Sequence, residues 1–167
     1  MIHRSWAVAS LAWFVALTFT PIAAAQVSFG AATDFAVGMT PVAVAVGDFN
    51  GDSDPDLVVA NFGSADVSIL LGGAGGTFGP ASTFATGSNP ISVAVGDFNG
   101  DSHPDLAVAR SGVNSSNVMV RLGGAGGSFG PASFYNAGDN SRAVAVADVN
   151  GDSDPDLVVA NGGSDDV

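Results

Sequence analysis

The sequence predicts an all-β fold built from repeated four-stranded antiparallel blades, and three observations carry that prediction. The chain repeats itself three times at an interval of about fifty residues. Each repeat holds short runs of Val, Ile, Leu and Ala bounded by Gly, Asp, Asn and Ser, the pattern of strands and turns. Helix formers are scarce: Lys and Glu are absent, while there are 23 Gly. The 47% hydrophobic content suits an ordered protein.

Taken in order, the first segment is a leader. His3 and Arg4 precede an apolar run from Trp6 to about Thr20, followed by Pro21 and the small residues Ala23, Ala24 and Ala25. This is the pattern of a secretory signal peptide, residues 1–25, cleaved after Ala25. The run falls short of the roughly 20 residues a spanning helix needs, and Pro21 interrupts it. Export to the extracellular space or cell surface is therefore expected, with no membrane insertion after cleavage.

Next come the repeats. Phe29, Phe78 and Phe129 each open a Phe-Gly-x-Ala segment, and Asp48, Asp97 and Asp148 each follow nineteen residues later. The second interval is two residues longer than the first, and the extra residues fall in the stretch around Ser111–Asn117, expected to be a tolerant surface loop. Within one unit, Val42–Val46 and Leu57–Ala60 form a hairpin expected to be buried on both strands. Val67–Leu71 supplies a third strand, the Gly-rich turn Gly72–Gly76 follows, and a segment around Phe78–Phe84 supplies the fourth. Neither Gly-rich turn is followed by Lys-Ser or Lys-Thr, so a phosphate cradle is the weaker reading of it. Blades are placed at about 41–89, 90–140 and, incomplete, 141–167. Residues 27–37 are then an orphan outer strand. Open strand edges of this kind would let the chain self-associate.

The acidic loop between the first two strands carries the chemistry. Asp48, Asn50, Asp52 and Asp56 occupy positions 1, 3, 5 and 9 of the first copy, with Asp54 at position 7. Alternating oxygen donors with a main-chain contact wrap a hard cation, and an all-oxygen set favours calcium over zinc or copper. The second copy has Asp97, Asn99, Asp101, His103 and Asp105, and the third Asp148, Asn150, Asp152, Asp154 and Asp156. His103 at position 7 is compatible with a backbone carbonyl contact there. An EF-hand would require Glu at position 12, where Val59 stands inside an apolar run. Two carboxylates about 4 Å apart repel by roughly 1 kcal/mol in water and about 4 kcal/mol at an effective dielectric near 20, so a cation would steady each loop. One calcium ion per loop, three in the chain, is the expectation.

These residues resemble the FG-GAP (VCBS-type) repeat of integrin alpha-chain propellers and of many secreted bacterial proteins. The resemblance spans about residues 27–167 and implies a partial β-propeller with calcium held in hairpin loops on one face. By it, the five residues Asp48, Asn50, Asp52, Asp54 and Asp56 and their counterparts in the other loops are the ligands. It also implies an adhesion or recognition scaffold whose partner is an extracellular protein or a glycan, with Ser111–Asn117 and Asn136–Arg142 as candidate contact loops. The ending at Val167, two strands short of a blade, suggests part of a longer chain. Asn114-Ser115-Ser116 is a glycosylation sequon.

Charge and inventory exclude other classes. A formal net charge of -12 makes nucleic acid and anionic lipid poor partners. Residues 26–167 hold no Cys, Lys or Glu and a single His and Tyr, so triads and Cys or Lys nucleophiles lack their parts. The alternative is a non-catalytic or catalytic part of a carbohydrate-active propeller enzyme using paired acids drawn from Asp34, Asp66, Asp139, Asp165 and Asp166.

Overall fold

Alternating apolar and small residues pair into ladders in a computed structural model of the chain, which describes residues 30–112 and 118–167. The expected leader and the sequon lie outside the described residues. The chain divides into two units, Met1–Thr33 and Asp34–Val167, and among the described residues the strands lie in the second.

The first sheet takes β1 (Pro41–Gly47), β2 (Asp56–Asn61), β3 (Asp66–Leu70) and β6 (Ser82–Ala85) in that spatial order, all antiparallel. The second repeats it with β7 (Pro90–Gly96), β8 (Asp105–Arg110), β9 (Val118–Arg121) and β12 (Ser133–Tyr135). The third repeat contributes the hairpin β13 (Ser141–Ala147) and β14 (Asp156–Asn161). Register is conserved between repeats: Val44 faces Val59, Val93 faces Val108, and Val144 faces Val159. These are blades of four antiparallel strands, and the all-β expectation holds.

Two strand placements differ from expectation. The fourth strand starts at Ser82, because Phe78 belongs to a separate small hairpin, β4 (Gly72–Gly73) with β5 (Thr77–Phe78). Pro80 has no N–H to continue a ladder across that gap. The second repeat has the same hairpin, β10 (Gly123–Gly124) with β11 (Ser128–Phe129), around a 3-10 turn at Ala125–Gly127. Residues 30–37, the described part of the expected orphan strand, join no ladder. Phe35 instead packs edge-on against Phe78 at 5.0 Å, and residues 35–38 line a cavity of about 380 Å³ with Ser68, Leu70 and Thr83 of the first sheet. Aromatic packing over the sheet has replaced edge pairing.

The period-2 alternation puts two different faces on every blade. Val58, Ala60, Val67 and Ile69 of the first sheet pack against Val93, Leu106 and Val108 of the second. The opposite face of the second sheet, Ala107, Ala109 and Val118, packs against Val144 and Val159 of the third repeat. β8 is buried along its whole length, since it is covered on both sides. β1 is not: alternate residues are exposed, which corrects the expectation of a hairpin buried on both strands. Burial of an inner strand depends on having a blade on each side.

Aromatic side chains fill the first junction. Phe129 stands edge-on to Phe49 at 5.7 Å and to Phe84 at 5.4 Å, so the Phe that heads the second Gly-rich hairpin's exit locks onto the blade before it. Arg121 reinforces the same junction, donating to the carbonyl oxygens of Gly130 and Ala85 and lying over the Phe84 ring. The second junction holds a cavity of about 360 Å³, bordered by Phe98, Val120, Leu122, Tyr135 and Leu157.

Candidate cation-binding loops

Each nine-residue acidic loop connects the inner strand of a blade to the next strand, and each closes by the same hydrogen bonds. Asp48 Oδ1 accepts from Gly51 N–H at 2.7 Å and from Asp52 N–H, and Oδ2 accepts from Ser53 N–H at 2.9 Å. Asp97 and Asp148 do the same with Gly100 and Ser102, and with Gly151 and Ser153. Asn50 Oδ1 accepts from Asp52 N–H, and Asp52 Oδ1 from Asp54 N–H. The loop is thus a chain of turns in which each acidic or amide side chain caps the backbone just ahead of it.

The wrap needs two left-handed residues. Gly51 has φ +79°, as the sequence leads one to expect, but Ser53 also sits at φ +70°, and Ser102 and Ser153 match it. A serine there costs about 1–2 kcal/mol, which its N–H recovers in part by bonding the first aspartate of the loop. Nothing in the sequence marks these serines except their recurrence.

His103 enters through its backbone. Its N–H donates to Asp101 Oδ1 at 2.8 Å, as Asp54 and Asp154 donate to Asp52 and Asp152. The side chain at position 7 therefore leaves the loop's shape unchanged.

The ninth residue behaves differently from the rest. Asp56 is fully buried; its Oδ2 accepts from Phe49 N–H at 2.7 Å and its Oδ1 from Gly72 N–H at 2.6 Å. Asp105 repeats this with Phe98 and Gly123. A Cβ at Gly72 would overlap the Pro55 carbonyl oxygen, and one at Gly123 that of Pro104, so only glycine lets the second hairpin approach this closely. The Gly-rich turns are docking elements for the acidic loops, a role the sequence reading missed because donor and acceptor lie far apart in the chain.

Hydrogen bonding also favours the ionised form of two of these carboxyls. Backbone N–H groups of Gly151 and Ser153 hold the Asp148 carboxyl below its usual range, and the His103 N–H, followed by the Asn99 amide, does so for Asp101.

The arrangement fits a hard cation by donor chemistry, since all side-chain candidates but His103 offer only carboxylate or amide oxygen. The loops do not, however, present a ready cluster: among the described residues no three His or Asp side chains converge as a metal site. The first carboxylate of each loop is turned toward the loop's own N–H groups, with Asp48 Oδ1 and Asp97 Oδ1 each accepting two hydrogen bonds.

The acids outside the loops have structural partners in the two places where the repeat supplies them. Asn61 donates to Asp66 at 2.7 Å, and Asn161 to Asp166 at 2.9 Å. Asn161 Oδ1 accepts from the Ser141 hydroxyl, whereas Asn61 Oδ1 is buried without a partner because Pro41 stands in the place of Ser141. Of the candidate contact loops, residues 113–117 lie outside the described residues. Asn136–Asn140 is tied to the turn after β14, with Gly162 N–H donating to Asn140 and Gly163 N–H to Asp139.

The family model described as FG-GAP-like repeat matches residues 48–108 and again residues 97–159, more than half of the chain. The chain belongs to the FG-GAP-like repeat family. Each match begins on the first aspartate of one acidic loop and runs through the whole of the next. No curated protein gives a significant match. FG-GAP-like repeats are generally non-catalytic and point to a β-propeller-like recognition or adhesion module.

Proposed function

We propose that this FG-GAP-like chain is a secreted, calcium-stiffened recognition scaffold. Calcium is held at Asp48, Asn50, Asp52, Asp54 and Asp56 and at the corresponding five residues of each other loop, with position 7 contributing main-chain oxygen. The observation that carries this is the threefold recurrence of one oxygen-lined turn with the same internal hydrogen bonds. A divalent ion there neutralises neighbouring carboxylates that otherwise repel. Its role is structural, with affinity in the range of extracellular modules, about 10⁻⁴ to 10⁻³ M. The leader signals export, and the exposed loops meet an extracellular protein or glycan.

Calcium titration followed by calorimetry and thermal unfolding tests the ion. Binding near three per chain and a rise in unfolding temperature are expected, with Asp52→Asn reducing both. An unfolding temperature that ignores both excess calcium and chelator overturns the proposal. Recovery of the chain from medium, cleaved after Ala25, tests export.

A further inference from the structure

Each acidic loop carries an Asn-Gly pair, Asn50-Gly51, Asn99-Gly100 and Asn150-Gly151, and the proposed calcium ligands leave the glycine nitrogens unused. Glycine has no Cβ to keep its nitrogen away from the Cγ of a preceding asparagine, so this pair is open to cyclisation. The glycine nitrogen gives its proton to solvent base and bonds to Cγ. The Cγ–Nδ2 bond breaks, and the amide takes a proton from solvent and leaves as ammonia. Water then opens the five-membered imide at one of its two carbonyls, so that asparagine plus water becomes aspartate or isoaspartate plus ammonia.

The loops hold the two partners of that reaction in opposite states. The carbonyl is polarised, because Asn50 Oδ1 accepts from Asp52 N–H at 3.1 Å, Asn99 Oδ1 from Asp101 N–H at 3.0 Å and Asn150 Oδ1 from Asp152 N–H at 2.8 Å. Those donors lie where negative charge would develop. The nitrogen is withheld. Gly51 N–H donates to Asp48 Oδ1 at 2.7 Å, Gly100 N–H to Asp97 Oδ1 at 2.8 Å and Gly151 N–H to Asp148 Oδ1 at 2.6 Å. A nitrogen that must lose its proton to react thus lies against a carboxylate, which repels the charge that would form. The Gly151 bond is the first cause holding the Asp148 carboxyl below its usual range. In two loops the leaving amide is tied as well, Asn50 Nδ2 to Asp52 Oδ2 at 2.7 Å and Asn99 Nδ2 to Asp101 Oδ2 at 2.8 Å.

We propose that Asn50, Asn99 and Asn150 are deamidation sites held unreactive by the first aspartate of their own loop, and that each converts once that aspartate releases the glycine N–H. The inference rests on the loop's own hydrogen bonds and not on calcium. Gly51, Gly100 and Gly151 are exposed, so solvent base and water reach them. Conversion is not reversed by refolding. Isoaspartate adds a backbone carbon between residues 50 and 51, which displaces the Gly51 N–H from Asp48 and keeps the loop open. A loop that has been open long enough is therefore marked chemically.

Peptide mapping by mass spectrometry after pepsin digestion reads each asparagine separately in the purified chain, in the processed form its host accumulates. The chain is held in mildly alkaline buffer, with calcium and separately with chelator, and circular dichroism identifies the samples whose sheets are intact. In the folded wild type all three asparagines are expected to convert at least about tenfold more slowly than in concentrated urea, the rate equivalent of one hydrogen bond to a charged group. Asp48→Ala should release Asn50 alone and Asp97→Ala should release Asn99 alone, the untouched loops of the same chain serving as controls. Should Asp48→Ala fail to fold, Asp48→Asn is read in its place. It keeps an acceptor oxygen and removes the charge, and Asn50 should still convert faster than Asn99 beside it. Asn50 converting in the folded wild-type chain as fast as in urea, or no faster in the folded Asp48 variant than in wild type, overturns the proposal.

Discussion

The loops 48–56 and 148–156 differ at one position in nine, Phe49 against Val149, yet the structure treats their last aspartate differently. Asp56 is fully buried between Phe49 N–H and Gly72 N–H, while Asp156 is only half-buried and holds Val149 N–H at 3.0 Å. No Gly-rich hairpin lies against loop 148–156 among the described residues. Phe49 is 2% exposed and Val149 65%. The loop's internal turns form regardless, because they need only neighbours within nine residues. Its anchoring into the blade comes from outside it.

The largest expected effect breaks that anchor. Asp56→Ala leaves the buried N–H groups of Phe49 and Gly72 without their acceptor and should cost about 3 to 6 kcal/mol in urea unfolding, whereas Asp156→Ala should cost on the order of 1 kcal/mol. Equal losses would show that the hairpin contributes nothing. Phe49→Ala empties the ring stack at the first junction and should cost about 3 to 5 kcal/mol, against less than about 0.5 kcal/mol for Val149→Ala. Calorimetric unfolding of the two variants compares them directly.

A smaller effect is expected with acid. The depressed Asp101 and Asp148 carboxyls bind their last proton in the folded state below the ordinary value of 3.8. Their stabilisation is fully present above that value and is lost as pH falls through the folded value. Unfolding temperature should therefore be insensitive to these groups from about pH 5 to 8 and fall below about pH 4, and Asp148→Asn should flatten that acid limb. The smallest effect is at position 7. His103→Asp should change stability by less than about 0.5 kcal/mol, because the backbone N–H makes the bond to Asp101. A large loss on thermal unfolding would give the imidazole a role of its own.

Repeat length, strand hairpins and the acidic turns were legible because they rest on local pattern. Val42–Val46 and Leu57–Ala60 pair as the alternation indicates, and Gly51 adopts the positive φ its position calls for. The fourth strand was placed too early, since the pull of Phe78 toward Gly72 is a hairpin contact that apolar content does not distinguish from a strand. The expected outer strand at 27–37 gave way, over its described part, to the Phe35–Phe78 ring contact. Asp56 could be named as an oxygen donor, but not as a buried bridge to a glycine sixteen residues away.

From the sequence alone came everything held within a few residues: the turns, the two-faced strands, the oxygen-rich loops and the family they mark. Tertiary structure alone decided which of three equivalent valines is covered and which of three equivalent aspartates is buried. The reason is physical. A side chain's period assigns it to a face, but only the neighbouring blade removes that face from water.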